Sequence, residues 1–317
     1  MSVENPYGRA VAAMPVRARR VGILGSDSAY WDYGPEDAAL TIVAVHGFRG
    51  EHHGLEPVVV QLAGLRVISP DLPGFGDSTP MTDAAHDVEG YAAWLGRFVD
   101  SLGLASRPVI LGHSFGSIVT AAAVAGGLET PALILINPIA APALAGPKAF
   151  LTGLAVFYYR AGARLPRRIG YPLLGSRLIT RAVSQGMATT RDPRLRRWIH
   201  DQHHTYFSRF SDRDTLLEAF RGSTERNVIQ YAPQITVPTL LIAAANDPIT
   251  TVADEEKLRA LLPNAELHVL AGVGHLIHYE RPREAAELIV AFLGEGSVVP
   301  PPTTPLPVAP APAGPAR

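Results

Sequence analysis

The chain has 317 residues, 47% of them hydrophobic and 18% charged, with a formal net charge of -1. That balance gives no electrostatic reason to expect nucleic-acid binding, and the length suits one large α/β domain carrying an insertion. There is no cysteine, which excludes disulfides, thiolate metal sites and a cysteine nucleophile but leaves the redox compartment open.

The opening stretch MSVENPYGRAVAAMPVRARR has no apolar core of signal-peptide length, and its charges follow the Ala/Val run instead of preceding it. Residues 1–15 read as an extension. The apolar segment 150–159 is far shorter than the ~20 residues a bilayer crossing needs. A soluble, cytoplasmic protein is therefore expected. Residues 16–24 and 28–33 read as short strands around a glycine turn. Residues 40–46 (LTIVAVH) form a nearly continuous apolar, β-branched run, the mark of a strand buried on both faces of a parallel sheet. Residues 65–69, 108–112, 132–137 and 239–244 repeat that character, and 266–270 adds a last strand. Helical spacing fills the gaps at 85–102, 115–125, 252–262 and 282–293. In the first of these, Val88, Tyr91, Ala92, Leu95, Phe98, Val99 and Leu102 recur every three or four residues. Strands alternating with helices predict a mostly parallel, doubly wound sheet of about eight strands.

The rhythm breaks over 138–236, which holds helical patches, prolines and no convincing strand, and reads as a helical lid inserted into a core of 16–137 and 237–296. Residues 297–317 carry eight prolines in 21 positions. They read as an extended, disordered tail.

The strongest chemical signal is Gly112-His113-Ser114-Phe115-Gly116, a G-x-S-x-G pattern that follows a buried-strand pattern and leads into the small-residue helix SIVTAAAVAG. A serine on so tight a strand-to-helix turn stands clear of the sheet, and the glycines leave room for neighbouring backbone. The helix that starts there aims its positive end at the reacting oxygen.

In this context the chain resembles the α/β-hydrolase fold superfamily, of the lid-bearing serine esterase and lipase type, over about residues 16–295. His46-Gly47-Phe48-Arg49-Gly50 is similar to the H-G-x-x-G loop of that family. Asp71-Leu72-Pro73-Gly74-Phe75-Gly76-Asp77-Ser78 is similar to its D-x-x-G-x-G-x-S loop. The resemblance implies an acid and a base in the order Ser, Asp, His. Asp247 closes the apolar run LLIAAAND, at the strand edge where such sheets place reactive groups. His275 lies in the loop Gly272-Val273-Gly274-His275. Among the alternatives, His278 approaches a helix, His268 lies within a strand, Asp71 belongs to a structural loop and Asp254 to a helix's first turn. The expected triad is Ser114, His275 and Asp247, with the imidazole accepting the serine proton and the carboxylate orienting the imidazole. The backbone N–H groups of Phe48 and Phe115 are the expected oxyanion donors. Because the resembling dehalogenases and epoxide hydrolases carry Asp at the elbow, Ser114 favours acyl transfer.

Charge is unevenly spread. Residues 148–197 hold eleven basic side chains against the single acid Asp192, a net +10 in a chain whose total is -1. One reading is a solvated helical face paired with acids elsewhere in the fold. The other is a lid that attracts an amphiphile with an anionic head, or that rests transiently on an anionic membrane. Candidate substrate contacts are His46, Arg49, His113, Phe157 and Tyr158, with His52 and His53 near the entrance. His200, His203 and His204 lack the carboxylate motif of a metal site, and neither a metal nor a cofactor is expected. The leading function is hydrolysis of a carboxylic ester or thioester of a hydrophobic acyl or aromatic substrate. C–C bond hydrolysis or cofactor-free peroxidase chemistry with the same triad is an alternative, as is a non-catalytic small-ligand-binding role. The partners expected are a small-molecule ester or amphiphile substrate and, in the second reading of the basic lid, a transient contact with an anionic membrane; the oligomeric state is not legible.

Overall fold

The computed structural model describes residues 3–142, 149–207 and 209–295; the proline-rich tail expected at 297–317 lies outside them. The extension contains a short helix, α1 (Gly8–Ala13), which periodicity did not announce. Strands β1 (Val16–Ile23) and β2 (Ser26–Tyr33) form a hairpin closed by Leu24 and Gly25. Both turn residues have positive φ, 49° and 75°, the conformation whose twist matches paired strands.

The remaining strands are β3 (Thr41–Val45), β4 (Arg66–Pro70), β5 (Val109–His113), β6 (Leu133–Ile136), β7 (Thr239–Ala244) and β8 (Ala265–Leu270). Their order is β1-β2-β4-β3-β5-β6-β7-β8, antiparallel across the first two junctions and parallel from β4 onward. The expected mostly parallel sheet of eight strands is what forms. The continuous apolar runs have a physical use here, because the sheet is covered on both sides. Val43, Val45, Ile110, Leu133 and Leu135 face a core built with α3 (Val88–Ser101) and α4 (Phe115–Ala125). Ile42, Ala44, Leu111, Ile134 and Ile136 face the opposite core. That second core includes α2 (Glu56–Val59) and α12 (Pro282–Glu295).

Between β6 and β7 the chain leaves the sheet and forms α5 (Ala149–Arg164), α6 (Arg167–Leu174), α7 (Arg177–Met187), α8 (Pro193–Tyr206) and α9 (Arg213–Glu225). This is the inserted helical region. After β7, α10 (Val252–Leu261) leads to β8, and α11 (Ile277–Glu280) precedes α12. The extension is tied back to the insertion: the Tyr7 hydroxyl donates to the Tyr279 carbonyl at 2.9 Å, and its ring meets Trp198 of α8 edge-on. Among the described residues no helix is long and apolar enough to cross a membrane.

Close backbone approach at the β5–α4 turn sets the geometry of the sheet edge. A Cβ on Gly116 would lie 2.3 Å from the Val45 carbonyl oxygen and 2.6 Å from that of His46. Those neighbours are main chain and cannot rotate away. Gly116→Ala is expected to lower stability by about 2 kcal/mol net, the overpacking cost exceeding the ~1 kcal/mol that Ala gains over Gly in a helix. Urea denaturation midpoints check this; an unchanged midpoint would contradict the close approach.

Candidate active site

Loops at the C-terminal ends of β3, β5, β6, β7 and β8 meet at one rim of the sheet. Ser114 falls between the end of β5 and the start of α4, with φ 53° and ψ -118°. Its N–H is held by the Ile136 carbonyl at 3.1 Å. Among the described residues four non-glycines have positive φ, and three of them, Arg49, Ser114 and Asn137, lie at this rim. Strain of this kind persists only where surrounding structure enforces it.

Ser114 Oγ lies 2.8 Å from His275 Nε2, and His275 Nδ1 lies 2.8 Å from Asp247 Oδ2. The three side chains singled out in the sequence therefore form one hydrogen-bonded line. Burial by itself raises the pKa of Asp247. The attraction and hydrogen bond of His275, the Ile249 N–H and the Asn137 amide outweigh it and hold the carboxyl below its ordinary value. With Asp247 charged and accepting, Nδ1 carries the imidazole proton and Nε2 presents its lone pair to the serine hydroxyl.

The loop after β3 packs directly on the serine: a Cβ on Gly47 would sit 3.1 Å from Ser114 Cβ. Among the described residues no acceptor faces the Phe48 N–H. The Phe115 N–H belongs to the first residue of α4, where no intrahelical acceptor exists. Among the described residues neither of these two main-chain donors has an acceptor.

The other candidate contacts behave differently from expectation. His46 is buried and uses both ring nitrogens on backbone: the Leu72 N–H donates to Nε2 at 2.9 Å, and Nδ1 lies 2.8 Å from the Gly47 carbonyl. It staples two loops and has no nitrogen left for a substrate. Arg49 is also buried, at 3% exposure. Its guanidinium donates to the Phe207 carbonyl (2.7 Å), the Tyr159 hydroxyl (3.1 Å) and the Leu174 carbonyl (3.0 Å), so it clasps the inserted helices. Phe157 is 70% exposed and points to solvent. The Tyr158 hydroxyl donates to the Leu173 carbonyl at 2.8 Å. The ring that reaches the site is Tyr159, two positions beyond Phe157 and on the opposite side of the helix, packed against Phe48 and stacked on Phe220.

His52 and His53 do not line an open entrance. His52 is buried with Nδ1 2.9 Å from an oxygen of Asp71, and the Tyr206 ring stacks on His53. Glu51, His52 and His53 form the one group among the described residues with metal-ligand spacing. Glu51 is already committed to His53 and Arg209, and His52 to Asp71. His200 and His203 each bring Nδ1 to the Ser184 hydroxyl, at 2.6 and 2.7 Å.

Periodicity and motif gave no sign of Asn137. Its amide nitrogen donates to Asp247 Oδ2 at 2.9 Å, and its amide oxygen accepts from the Ile277 N–H at 3.4 Å. It joins Asp247 to the segment following His275. The Asn-Pro pair after a buried run signalled only the strand's end. Thr189 of the insertion is equally unannounced: its hydroxyl accepts from the Gly274 N–H at 3.1 Å, one residue before His275. Glu280 holds Thr189 in turn, accepting from its N–H at 2.7 Å.

Behind His275 lies a buried cluster of mutually tilted imidazoles. His113 and His278 have ring centroids 4.0 Å apart, and His113 and His275 5.8 Å. His113 is therefore packed against His275 and His278, and among the described residues its Nε2 has no partner. Burial, then the neighbouring His275, pushes the His113 pKa down to about 3. His278 is pushed well below its ordinary value by burial, then by His113, His203 and His275.

A profile of the alpha/beta hydrolase family matches residues 42–288. The chain is 28% identical over 232 residues to polyketide synthase ThaQ of Burkholderia thailandensis, a match covering 72% of this chain and only 10% of that protein. It is 27% identical over 278 residues to the 2-hydroxy-6-oxononadienedioate/2-hydroxy-6-oxononatrienedioate hydrolase of Cupriavidus pinatubonensis, covering 81% of this chain and 87% of the relative. Further relatives at 22–25% identity are named as lipases and an epoxide hydrolase. Among solved structures, a thermophilic esterase from Thermogutta terrifontis superposes with a TM-score of 0.70 at 24% identity, covering 88% of this chain and 99% of the other.

The histidine cluster has a measurable consequence. In the unfolded chain an imidazole titrates at about 6.5, so below that pH the unfolded state binds protons that folded His113 and His278 refuse, down to about 3 for His113. Stability is fully present above pH ~6.5 and is lost as pH falls, by about 1.4 kcal/mol per unit for each such ring. His278→Asn is expected to flatten the decline between about pH 7 and about pH 5. Urea midpoints at both values test it, and equal slopes in the two proteins would refute the buried neutral cluster.

Proposed function

The chain belongs to the alpha/beta hydrolase family, and we propose that it is a serine hydrolase that cleaves a carboxylic ester or thioester through an acyl-enzyme. The observation that carries this reading is the unbroken line from Ser114 Oγ through His275 to Asp247, each step 2.8 Å.

In this reading the Ser114 oxygen attacks the substrate carbonyl carbon while His275 Nε2 takes the hydroxyl proton. The charge that gathers on the carbonyl oxygen is met by the Phe48 and Phe115 N–H groups, each lowering the barrier by about 3 kcal/mol. The leaving group takes the proton back from His275 as the carbon–oxygen or carbon–sulfur bond breaks. A water molecule then repeats the sequence on the acyl-serine and frees the acid. Asp247 stays ionised throughout and stabilises the imidazolium. Preference for a hydrophobic acyl or aromatic group is supported by the rings around the oxyanion loop, where Phe48 meets Phe75, Phe115, Tyr159 and Phe220. C–C bond hydrolysis is the second reading, favoured by the 27% identity to the Cupriavidus enzyme named above.

A fluorophosphonate probe is expected to label Ser114 in the pure protein, and Ser114→Ala is expected to abolish both label and turnover of p-nitrophenyl esters. Asp247→Asn is expected to lower kcat by roughly 10⁴. An adduct that persists in Ser114→Ala would remove the nucleophile assignment. A labelled wild type that hydrolyses no ester or thioester would shift the reading to C–C cleavage.

A further inference from the structure

Several arginines of this fold find carboxylates. Arg17 and Arg66 converge on Asp32 and Arg107 on Asp100, and within the inserted region Arg209 meets Glu51 and Arg226 meets Glu89. The stretch 160–197 breaks that habit. Ten arginines fall between positions 160 and 197, and among the described residues none lies within 4.0 Å of a carboxylate. The expectation that this basic run is paired with acids elsewhere is therefore not met.

The same helices leave large apolar side chains in solvent. Phe157 is 70% exposed, Ile169 57% and Leu178 84%. A single exposed apolar residue is ordinary. Here each sits beside unpaired arginine. Phe157 is three residues before Arg160 on α5, Ile169 follows Arg167 and Arg168 on α6, and Leu178 lies between Arg177 and Arg181 on the outer face of α7. Beyond Leu178, Arg181, Arg196, Arg197 and His200 line one cleft of about 410 Å³ between α7 and α8, with no acid in its walls.

We infer that the outer face of α5 to α8 docks on a lipid bilayer carrying anionic headgroups. Arginine side chains reach sideways to phosphates while the apolar tips enter the headgroup boundary, a division of labour that amphipathic surfaces use to lie on a membrane without crossing it. Charge complementarity selects the partner. Residues 148–197 carry a net +10 in a chain of total -1, which draws this region toward an anionic sheet. The apolar tips distinguish a bilayer from a nucleic acid, which offers charge without a hydrocarbon layer to receive them. Docking here is a binding property of the lid and does not depend on the hydrolysis reading.

The test is co-sedimentation of the full chain with vesicles of phosphatidylcholine alone and of phosphatidylcholine mixed with phosphatidylglycerol. Wild type is expected to pellet with the anionic vesicles, to remain in solution with the neutral ones, and to be released as salt rises from about 0.1 M to about 1 M. Each arginine near such a surface multiplies partitioning by about fivefold, so Arg177→Gln with Arg181→Gln is expected to weaken it roughly thirtyfold. Ile169→Ser with Leu178→Ser is expected to abolish pelleting while leaving circular dichroism and hydrolysis of a short soluble ester unchanged. Wild type that stays in solution with anionic vesicles at low salt overturns the proposal. So does pelleting that survives both double substitutions, or binding to duplex DNA without binding to vesicles.

Discussion

The site depends on one constraint: the chain must turn from β5 into α4 at Ser114, within contact distance of the loop that follows β3. Gly112 and Gly116 make that approach sterically available. A Cβ on Gly112 would lie 2.5 Å from the Gly116 carbonyl, and one on Gly116 2.3 Å from that of Val45. Ser114 accepts a left-handed backbone in consequence, and its amide is held by the neighbouring strand. The strain is local, but the enforcement comes from three adjacent strands. A serine hydroxyl in this position projects beyond the sheet, and a helix start lies beneath it.

Asp247 and His275 reach the same rim by other routes. Asp247 extends from β7, two strands from β5, and Asn137 at the end of β6 fills the space between and bonds to it. His275 comes from the loop after β8, and that loop is steadied by a residue of the insertion, Thr189, which Glu280 fixes in turn. The insertion therefore does more than cover the sheet, since the loop carrying His275 is held to it. Arg49 makes a matching connection on the other side. Its buried guanidinium has no carboxylate and relies on two carbonyls, a tyrosine hydroxyl and the face of Phe207. Leaving a buried charge in this state costs several kcal/mol unless every donor direction is well met. The cost is tolerable because the carbonyls of separate lid segments all converge there.

Two populations of arginine thus coexist in one chain. Arg49 faces inward and fastens lid to core. The arginines of α5 to α8 face outward, without carboxylates, interleaved with exposed Phe157, Ile169 and Leu178. Composition treats them alike. Their physical consequences are opposite, one holding a closed interior and the other presenting an unanswered charge to the surroundings.

The amino-acid sequence by itself determined the layered fold, because buried parallel strands need unbroken apolar runs such as LTIVAVH and ALILIN, and helices covering them need a stripe of three-and-four spacing. It also marked Ser114 as the residue at the strand-to-helix turn, since few other turns call for small residues on both sides of a serine. The expectation that Asp247 and His275 join it came from the resemblance to the α/β-hydrolase family. Tertiary structure alone decided what each remaining polar side chain does. His46, His113 and Arg49 stand next to the reactive segments in the chain, yet their atoms are used on Leu72, on His278 and on lid carbonyls, contacts made across 26 to 165 positions. Tyr159 rather than Tyr158 or Phe157 turns inward because rotation about the helix axis is set by the aromatic rings it packs on. Asn137 acquires its partner only because β6 ends beside β7. Local patterns record which face of an element is apolar; which long-range neighbour satisfies a given donor is a property of the assembled molecule.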